Sequence, residues 1–530
     1  MHSPWLIWGV ALGLVNHFCF HKYEPSGVNV TFPLLAVQPI ALLMFVEGPF
    51  TFMGLAWSYA VFLGSLSLSI AAYGLSPFHP LAQYPGPAIG KVTKLWGFWK
   101  TSQGHKYIYH KKLHDTYGPY VRTGPNKISV IDPPSPAVCQ ILNFGGLEKG
   151  RYYESGRHPS IPPSVVCISG EAHTKKRRVW NRAMTSSSFR DYEPLVSKRA
   201  SQHGPVDLGN WLNFFAFDLM GDLAFGGGFE HLRDGEDTGG LGERIRGASY
   251  LSGQLPWIIN TLHLFPRVGR IIQDCNDFGQ HLAMQRMKDG AVGTMDLWYH
   301  LADEAGTEKQ KPTFEESAAD GIVAIIAASD TVASTMCSLV WFLLSDPEYY
   351  RRVQQELDNV FVDGDDPLEV SKHQELHFLS ACMHETLRLH PPIPSNGARQ
   401  VHLHQPGRNI AGRFIPSGTS VYTPTYSLHR NPHYFFPHPD KFCPQRWLPD
   451  SKFDKHDTSA FAPFSLGPAN CVGQKFGNRE ILMASSILFK SFDLQFADGF
   501  DSDAWPKSMR DFFVFTRGPL LVNLTPRHRN

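Results

Sequence analysis

Charge of either sign is nearly absent as a surplus: 49 Lys and Arg stand against 48 Asp and Glu in 530 residues. That balance excludes the basic footprint of a nucleic-acid binder. Cysteine is sparse and scattered, at Cys19, Cys139, Cys167, Cys275, Cys337, Cys382, Cys443 and Cys471, with no Cys-x-x-Cys pair. A zinc ribbon is thereby excluded, and the scatter argues against a disulfide framework and for a reducing compartment. His-Glu-x-x-His is absent too. In His384-Glu385-Thr386-Leu387-Arg388 an arginine stands where the second histidine of a zinc protease would be. No dinucleotide fingerprint occurs, and the triple glycine Gly226-Gly227-Gly228 lacks the Lys-Ser or Lys-Thr of a phosphate loop. It reads more simply as a helix end. The chain shows no internal repeat and no low-complexity tract.

Asp, Glu, Lys and Arg are also missing from three N-terminal runs, Trp5 to Phe20, Val28 to Val46 and Gly48 to His79. A helix needs roughly 20 apolar residues to cross a bilayer. The third run meets that length and the second approaches it. The first is marginal, and it lacks the basic start and small-residue cleavage site of a signal peptide. Residues 1–80 therefore read as a membrane anchor of one to three transmembrane helices; one span plus helices lying at the interface stays open. Pro77, Pro80, Pro85 and Pro87 then mark a stiff hinge. Lys91, Lys94, Lys100, Lys106, Lys111 and Lys112 follow, and positive charge beside a span marks its cytoplasmic side.

What is present organises itself around Phe464-Ser-Leu-Gly-Pro-Ala-Asn-Cys471-Val-Gly473. Gly467 and Gly473 flank a single cysteine, and glycines permit tight turns. Such a loop can aim backbone N–H groups at the sulfur and lower its pKa. Gln474 to Phe492 reads as a helix whose N-terminus favours an anionic sulfur. The plainer reading is a buried, inert cysteine in a glycine-rich turn.

The loop resembles the haem-binding signature of cytochrome P450 monooxygenases, Phe-x-x-Gly-x-Arg-x-Cys-x-Gly. Phe464, Gly467, Cys471 and Gly473 match; Ala469 replaces the arginine that usually meets a haem propionate. Further motifs stand in the family's order. Ala327-Ala328-Ser329-Asp330-Thr331 lies in a long helix that starts at a Thr313/Glu316 capping box and ends before Asp346-Pro347. Small residues there let a flat macrocycle approach, and an acid beside a hydroxyl can pass protons. Alternatively, that pair satisfies itself or the carbonyl four residues back. Glu385 and Arg388 share one helix face and resemble the Glu-x-x-Arg that joins an arginine of a later Phe-x-Pro-x-Arg segment, here Phe442 to Arg446. A carboxylate between two guanidinium groups would fix the cysteine loop; an exposed pair worth little is the bland alternative. His173 and Arg177, four apart on a basic helix from Glu171 to Arg182, resemble the residues that reach the propionates, as does Arg399. Lys175, Lys176 and Arg178 would then face outward. Tyr120 to Ile131 alternates like strands, Tyr250 to Ile272 is an apolar stretch suited equally to a pocket roof or to core packing, and Asp511 to Leu524 reads as a hairpin whose tip would line the pocket.

The resemblance spans about residues 85 to 525 and implies a mainly α fold with a small β region. Residues 81–530 would form a haem-thiolate monooxygenase domain holding haem b, with Cys471 as axial iron ligand. Asp330 and Thr331 would be the catalytic residues. Phe464, Gly467, Gly473, His173, Arg177 and Arg399 would bind the cofactor. Glu385, Arg388 and Arg446 would be structural. Since no flavin or dinucleotide segment is present, electrons would come from NADPH through a separate reductase, docked near Lys175 and Lys176. The membrane would be the endoplasmic reticulum, with the domain facing the cytosol. The substrate would be a lipophilic small molecule of secondary metabolism, terpenoids being a common class, and no nucleic acid is expected. The competing functions are a haem-thiolate isomerase or dehydratase that needs no reductase, and a non-catalytic membrane haem protein.

Overall fold

Three apolar helical stretches come first in the computed structural model, which describes residues 4–23, 28–46, 51–131, 136–154, 161–184, 204–227, 229–237, 266–290, 295–362, 365–451, 453 and 457–527. Helix α1 spans Pro4–Tyr23. The second stretch is broken into Val28–Phe32, a wide turn at Pro33–Val37, and helix α2 at Gln38–Val46. Pro33 and Pro39 account for the irregularity, because each lacks an N–H to donate. Helix α3 is Phe52–Leu75, with Thr51 capping it by accepting from Gly54 N at 3.1 Å. All three stretches pack on one another. Gly13 makes the closest approach: a Cβ there would lie 2.0 Å from Ser65 Oγ and 3.0 Å from the backbone of Leu66. Polar bonds also cross the bundle. Asn16 Nδ2 donates to Gln38 Oε1 at 2.6 Å, His17 Nδ1 and Ser69 Oγ are bonded at 2.6 Å, and Ser58 Oγ donates to Pro39 O at 2.8 Å.

The proline-rich segment that follows is not a free hinge. Leu81 and Tyr84 are buried, and the Tyr84 hydroxyl donates to Phe414 O at 2.9 Å. Arg122, also buried, donates from Nη1 to Gly74 O at 2.9 Å at the end of α3. Gly74 itself leaves no room for a side chain, since a Cβ would meet Lys91 O at 2.7 Å.

The strand-like alternation forms β1 (Tyr120–Gly124) and β2 (Lys127–Val130), an antiparallel pair. They belong to a five-stranded sheet completed by β3 (Glu148–Lys149), β4 (Arg399–Gln400) and β5 (Ser420–Tyr422), in the order β1-β2-β5-β4-β3. Only β2 and β5 run parallel within it. Most of the chain is helical. The basic segment is α4, Gly170–Ala183, and α5 is Leu208–Phe225, closed by Gly226 in the left-handed region. Thus the triple glycine does end a helix.

The longest helix, α6, runs Phe314–Leu344 with the capping box in place: Glu316 N donates to Thr313 Oγ1 at 3.2 Å, and Thr313 N donates to Glu316 Oε2 at 3.0 Å. It is apolar enough to cross a membrane, yet it is mostly buried by α5 and by α7 (His377–Leu389) and α8 (Gln474–Ser491). Val332, Met336, Leu339 and Leu343 supply its share of the core. The C-terminal hairpin is shorter than the sequence pattern implies. It pairs Arg510–Phe512 with Val514–Thr516 and turns at Phe513. Leu521–Pro526 leaves it to pair with Phe492–Phe496, a different sheet. The apolar stretch from Tyr250 lies outside the described residues up to 265.

Candidate active site

The cysteine loop owes its shape to Gly467. Its φ is +72°, and a Cβ would lie 2.4 Å from Leu142 O, so both conformation and space require glycine. Gly473 does not use that freedom; it precedes α8 with φ −82°. Cys471 N donates to Phe464 O at 2.8 Å and Asn470 N to Gly467 O at 3.1 Å, which closes the loop. The Phe464 ring packs on the main core. Cys471 is accessible although protein surrounds its sulfur on almost every side, so it faces an internal cleft. A lowered pKa was the expectation from the loop. Burial instead pushes the thiol up, against the Gly473 N–H and the Arg177 charge, which pull it down.

The long helix packs on α8, the helix that follows this loop. Gly477, in the first turn of α8, lies 3.9 Å from a Val332 methyl by its Cβ direction. One residue earlier, Thr331 Oγ1 donates to Ala327 O at 2.7 Å and reaches Ala328 O at 3.3 Å. The hydroxyl is therefore turned onto its own helix, the arrangement weighed above as the plainer alternative. Asp330 is half-buried beside it. Ala327 is accessible in the middle of a helix that is otherwise largely buried, so small side chains leave the helix uncovered there.

Basic groups gather beside the loop. Arg177 donates to Asn470 twice, from Nη1 to O at 2.5 Å and from Nη2 to Oδ1 at 2.8 Å, and from Nε to Asn181 Oδ1 at 2.9 Å. His173 is buried, and its pKa falls to about 4 through burial and then the charges of Lys149, Arg177 and Arg399. Arg399 is 5% exposed and, among the described residues, its Nε has no hydrogen-bond partner. Directly across the sheet from it stands Lys149. Like charges opposite each other on paired strands are destabilising. An anion with two carboxylates suits this cluster, so the residues fit a haem: a sulfur for iron, small residues on α6, and buried cations for propionates.

Lys176 departs from the outward position expected for it. Its ammonium pairs with buried Asp320 of α6 at 3.2 Å. Lys175 and Arg178 do stay exposed, paired with Glu171 and Glu308 at 3.0 and 3.5 Å.

Behind the loop, Glu385 is fully buried. Arg388 Nη2 and Arg446 Nε donate to its Oε1 at 2.8 and 3.1 Å; Arg388 Nε and Trp447 Nε1 donate to its Oε2 at 2.8 and 2.9 Å. Burial opposes the charge, but the two guanidinium groups hold this carboxyl below its ordinary range. Arg388 also donates to His429 O at 2.8 Å, and His429 Nε2 accepts from Ala462 N at 3.0 Å, just before the cysteine loop. The motif is thus wired to the loop through His429.

The cytochrome P450 family profile matches residues 83–523. The chain belongs to the cytochrome P450 family. A cytochrome P450 monooxygenase of Aspergillus oryzae is 30% identical over 466 residues, covering 84% of this chain and 89% of its own. Cytochrome P450 67 of Uromyces fabae is 29% identical over 98% of this chain and 99% of its own. Trichothecene C-15 hydroxylase of Fusarium sporotrichioides is 28% identical over 85% and 94%. Family membership makes this P450 an oxidoreductase, a haem-thiolate monooxygenase that takes electrons from a redox partner and acts on a small molecule.

Sequence reasoning missed Lys149, Asn470, Asp320 and the bridging role of His429. Each acts through a partner distant in the chain, and no local spacing signals it. Among the described residues, no group of three His, Cys, Asp or Glu could hold a separate metal ion.

Proposed function

We propose that this P450 hydroxylates a C–H bond of a lipophilic small molecule in secondary metabolism, using one atom of O2. The observation that carries the reading is the Cys471 thiol, accessible in a loop pinned by Gly467 and by the Cys471 N to Phe464 O bond. When bound, haem would supply the oxygen-activating chemistry, and a cysteine thiolate is the kind of ligand that suits it to that work. Cys471 is the ligand, and the Gly473 N–H steadies its charge. Arg399, His173 and Arg177 serve the propionate side, while Glu385, Arg388 and Arg446 hold the loop in place. Asp330 and Thr331 deliver protons into the cleft. For that, the Thr331 hydroxyl must leave Ala327 O, giving up a bond worth about 0.5–1.5 kcal/mol.

Electrons come from an NADPH-dependent reductase in the same membrane, with exposed Lys175 and Arg178 as the surface for it. The test is to supply the membranes with reductase, NADPH and O2 and screen lipophilic compounds, terpenoids first. Substrate-dependent consumption of both NADPH and O2, with a hydroxylated product, is expected. Turnover without NADPH would establish the isomerase or dehydratase reading instead, and no turnover with any spin-shifting ligand would favour a non-catalytic haem protein.

Residues 1–80 act as the anchor, in the endoplasmic reticulum, with residues 81–530 on the cytosolic side. The bundle supports three crossings rather than helices lying flat, because Asn16 is buried against Gln38 and Gly13 against α3. His21 and Lys22 then share the cytosolic side with the lysines after residue 90, in keeping with the positive-inside rule. An odd number of crossings puts the Pro4 end of α1 in the lumen. In sealed microsomes, protease should remove a C-terminal tag and spare one at Met1. Cleavage of both tags would rule out three spans.

A further inference from the structure

We propose that Lys149 binds a haem propionate and stands in for the arginine that Ala469 replaces. The proposal rests on the haem site above and adds a ligand that the family signature does not name. Three observations converge on it.

The first is the register: Lys149 on β3 is the direct antiparallel partner of Arg399 on β4. Two cations face each other there, a repulsion that an anion between or beside them would relieve.

The second is the state of the neighbours. Among the described residues, Arg399 keeps a buried Nε without a partner. Arg177 is committed to Asn470 and Asn181, both neutral, and to the charge of the Cys471 sulfur, so it braces the loop. The charges acting on His173 are those of Lys149, Arg177 and Arg399, and none is an acid. Among the described residues the site thus gathers three cations around His173 with only the Cys167 and Cys471 sulfurs of opposite tendency, a charge that two carboxylates would balance.

The third is the lysine's own geometry. Its Nζ donates to Val165 O at 3.1 Å and sits 5.6 Å from the Tyr153 ring centroid. An ammonium has three N–H bonds, so two stay available for a carboxylate. Tyr153 packs on Gly397, where a Cβ would lie 2.3 Å from its hydroxyl, and this fixes the platform beside Arg399. Ala469 has only a methyl to offer.

The test compares full-length holoenzymes in detergent, reading the rate of haem transfer to apomyoglobin and the haem reduction potential. Lys149→Ala should lose haem about ten- to a hundredfold faster, the equivalent of one charge-assisted bond. Its potential should also fall, since removing a nearby cation favours the oxidised iron. Lys149→Arg should keep both values. Ala469→Arg should restore both in the Lys149→Ala background while changing little in the wild type. A purely structural lysine would predict no rescue by Ala469→Arg and no shift in potential, and that result overturns the proposal. If Lys149→Ala fails to fold, Lys149→Gln, which keeps a donor for Val165 O, carries the same comparison. A wild type with no thiolate-type carbonyl spectrum would instead refute the haem site itself.

Discussion

Alanine at Cys471 leaves a folded protein with no thiolate-type carbonyl spectrum and no turnover. The loop does not depend on the sulfur for its shape. Gly467 φ, the Cys471 N to Phe464 O bond and the Asn470 N to Gly467 O bond all survive the change. Stability should shift by no more than about 1 kcal/mol, since the deleted atom faces the cleft and not the core. The loss is chemical. Removing a partner that merely orients a metal ligand costs about 10–100-fold in metal affinity or activity, so removing the ligand must cost more. Difference spectra of reduced, carbon-monoxide-treated membranes, with an immunoblot for protein level, check it. A variant that keeps the thiolate-type spectrum would mean that another sulfur holds the iron.

The second large effect concerns Glu385, and here much of the stability of the fold is lost. Alanine would leave Arg388 and Arg446 as two buried guanidinium groups without their carboxylate. Breaking a buried pair this way costs about 3–5 kcal/mol, a large share of the roughly 5–15 kcal/mol that holds a domain together. Arg388→Lys should do comparable harm. Arg388 also donates to the carbonyls of His429 and Lys441 at 2.8 and 3.0 Å, a fork that a single ammonium cannot reproduce. Glu385 has a folded pKa below its ordinary value, so its contribution is present above that ordinary value and fades only as pH falls through the lower one. The motif is therefore fully effective at neutral pH. Denaturant titration of the solubilised protein, with haem content as a second readout, measures the loss; a variant of wild-type stability and haem content would show the cluster to be dispensable.

Local spacing made much of the site readable. The capping box at Thr313, the Glu-x-x-Arg face and the Gly467 turn are each set by residues within a few positions of one another. What could not be read depends on chain topology. Arg177 reaches Asn470 across 293 positions and Lys176 reaches Asp320 across 144, so the helix pattern alone could not show which bases turn inward. Lys149 became visible only when β3 and β4 were paired. The N-terminal runs announced apolar helices, but their mutual packing rests on Gly13, Asn16 and Gln38 meeting, which no hydropathy count contains. The hairpin was misread in extent because Leu521 to Leu524 alternates just as well for a strand in another sheet.

Arg122 gives the proposed anchor a mechanical meaning. Its guanidinium clasps the last turn of α3 at Gly74 while its own strand belongs to the five-stranded sheet. Any tilt of that helix is thereby handed to the strands as a shared inclination, so the N-terminal bundle and the β region turn together.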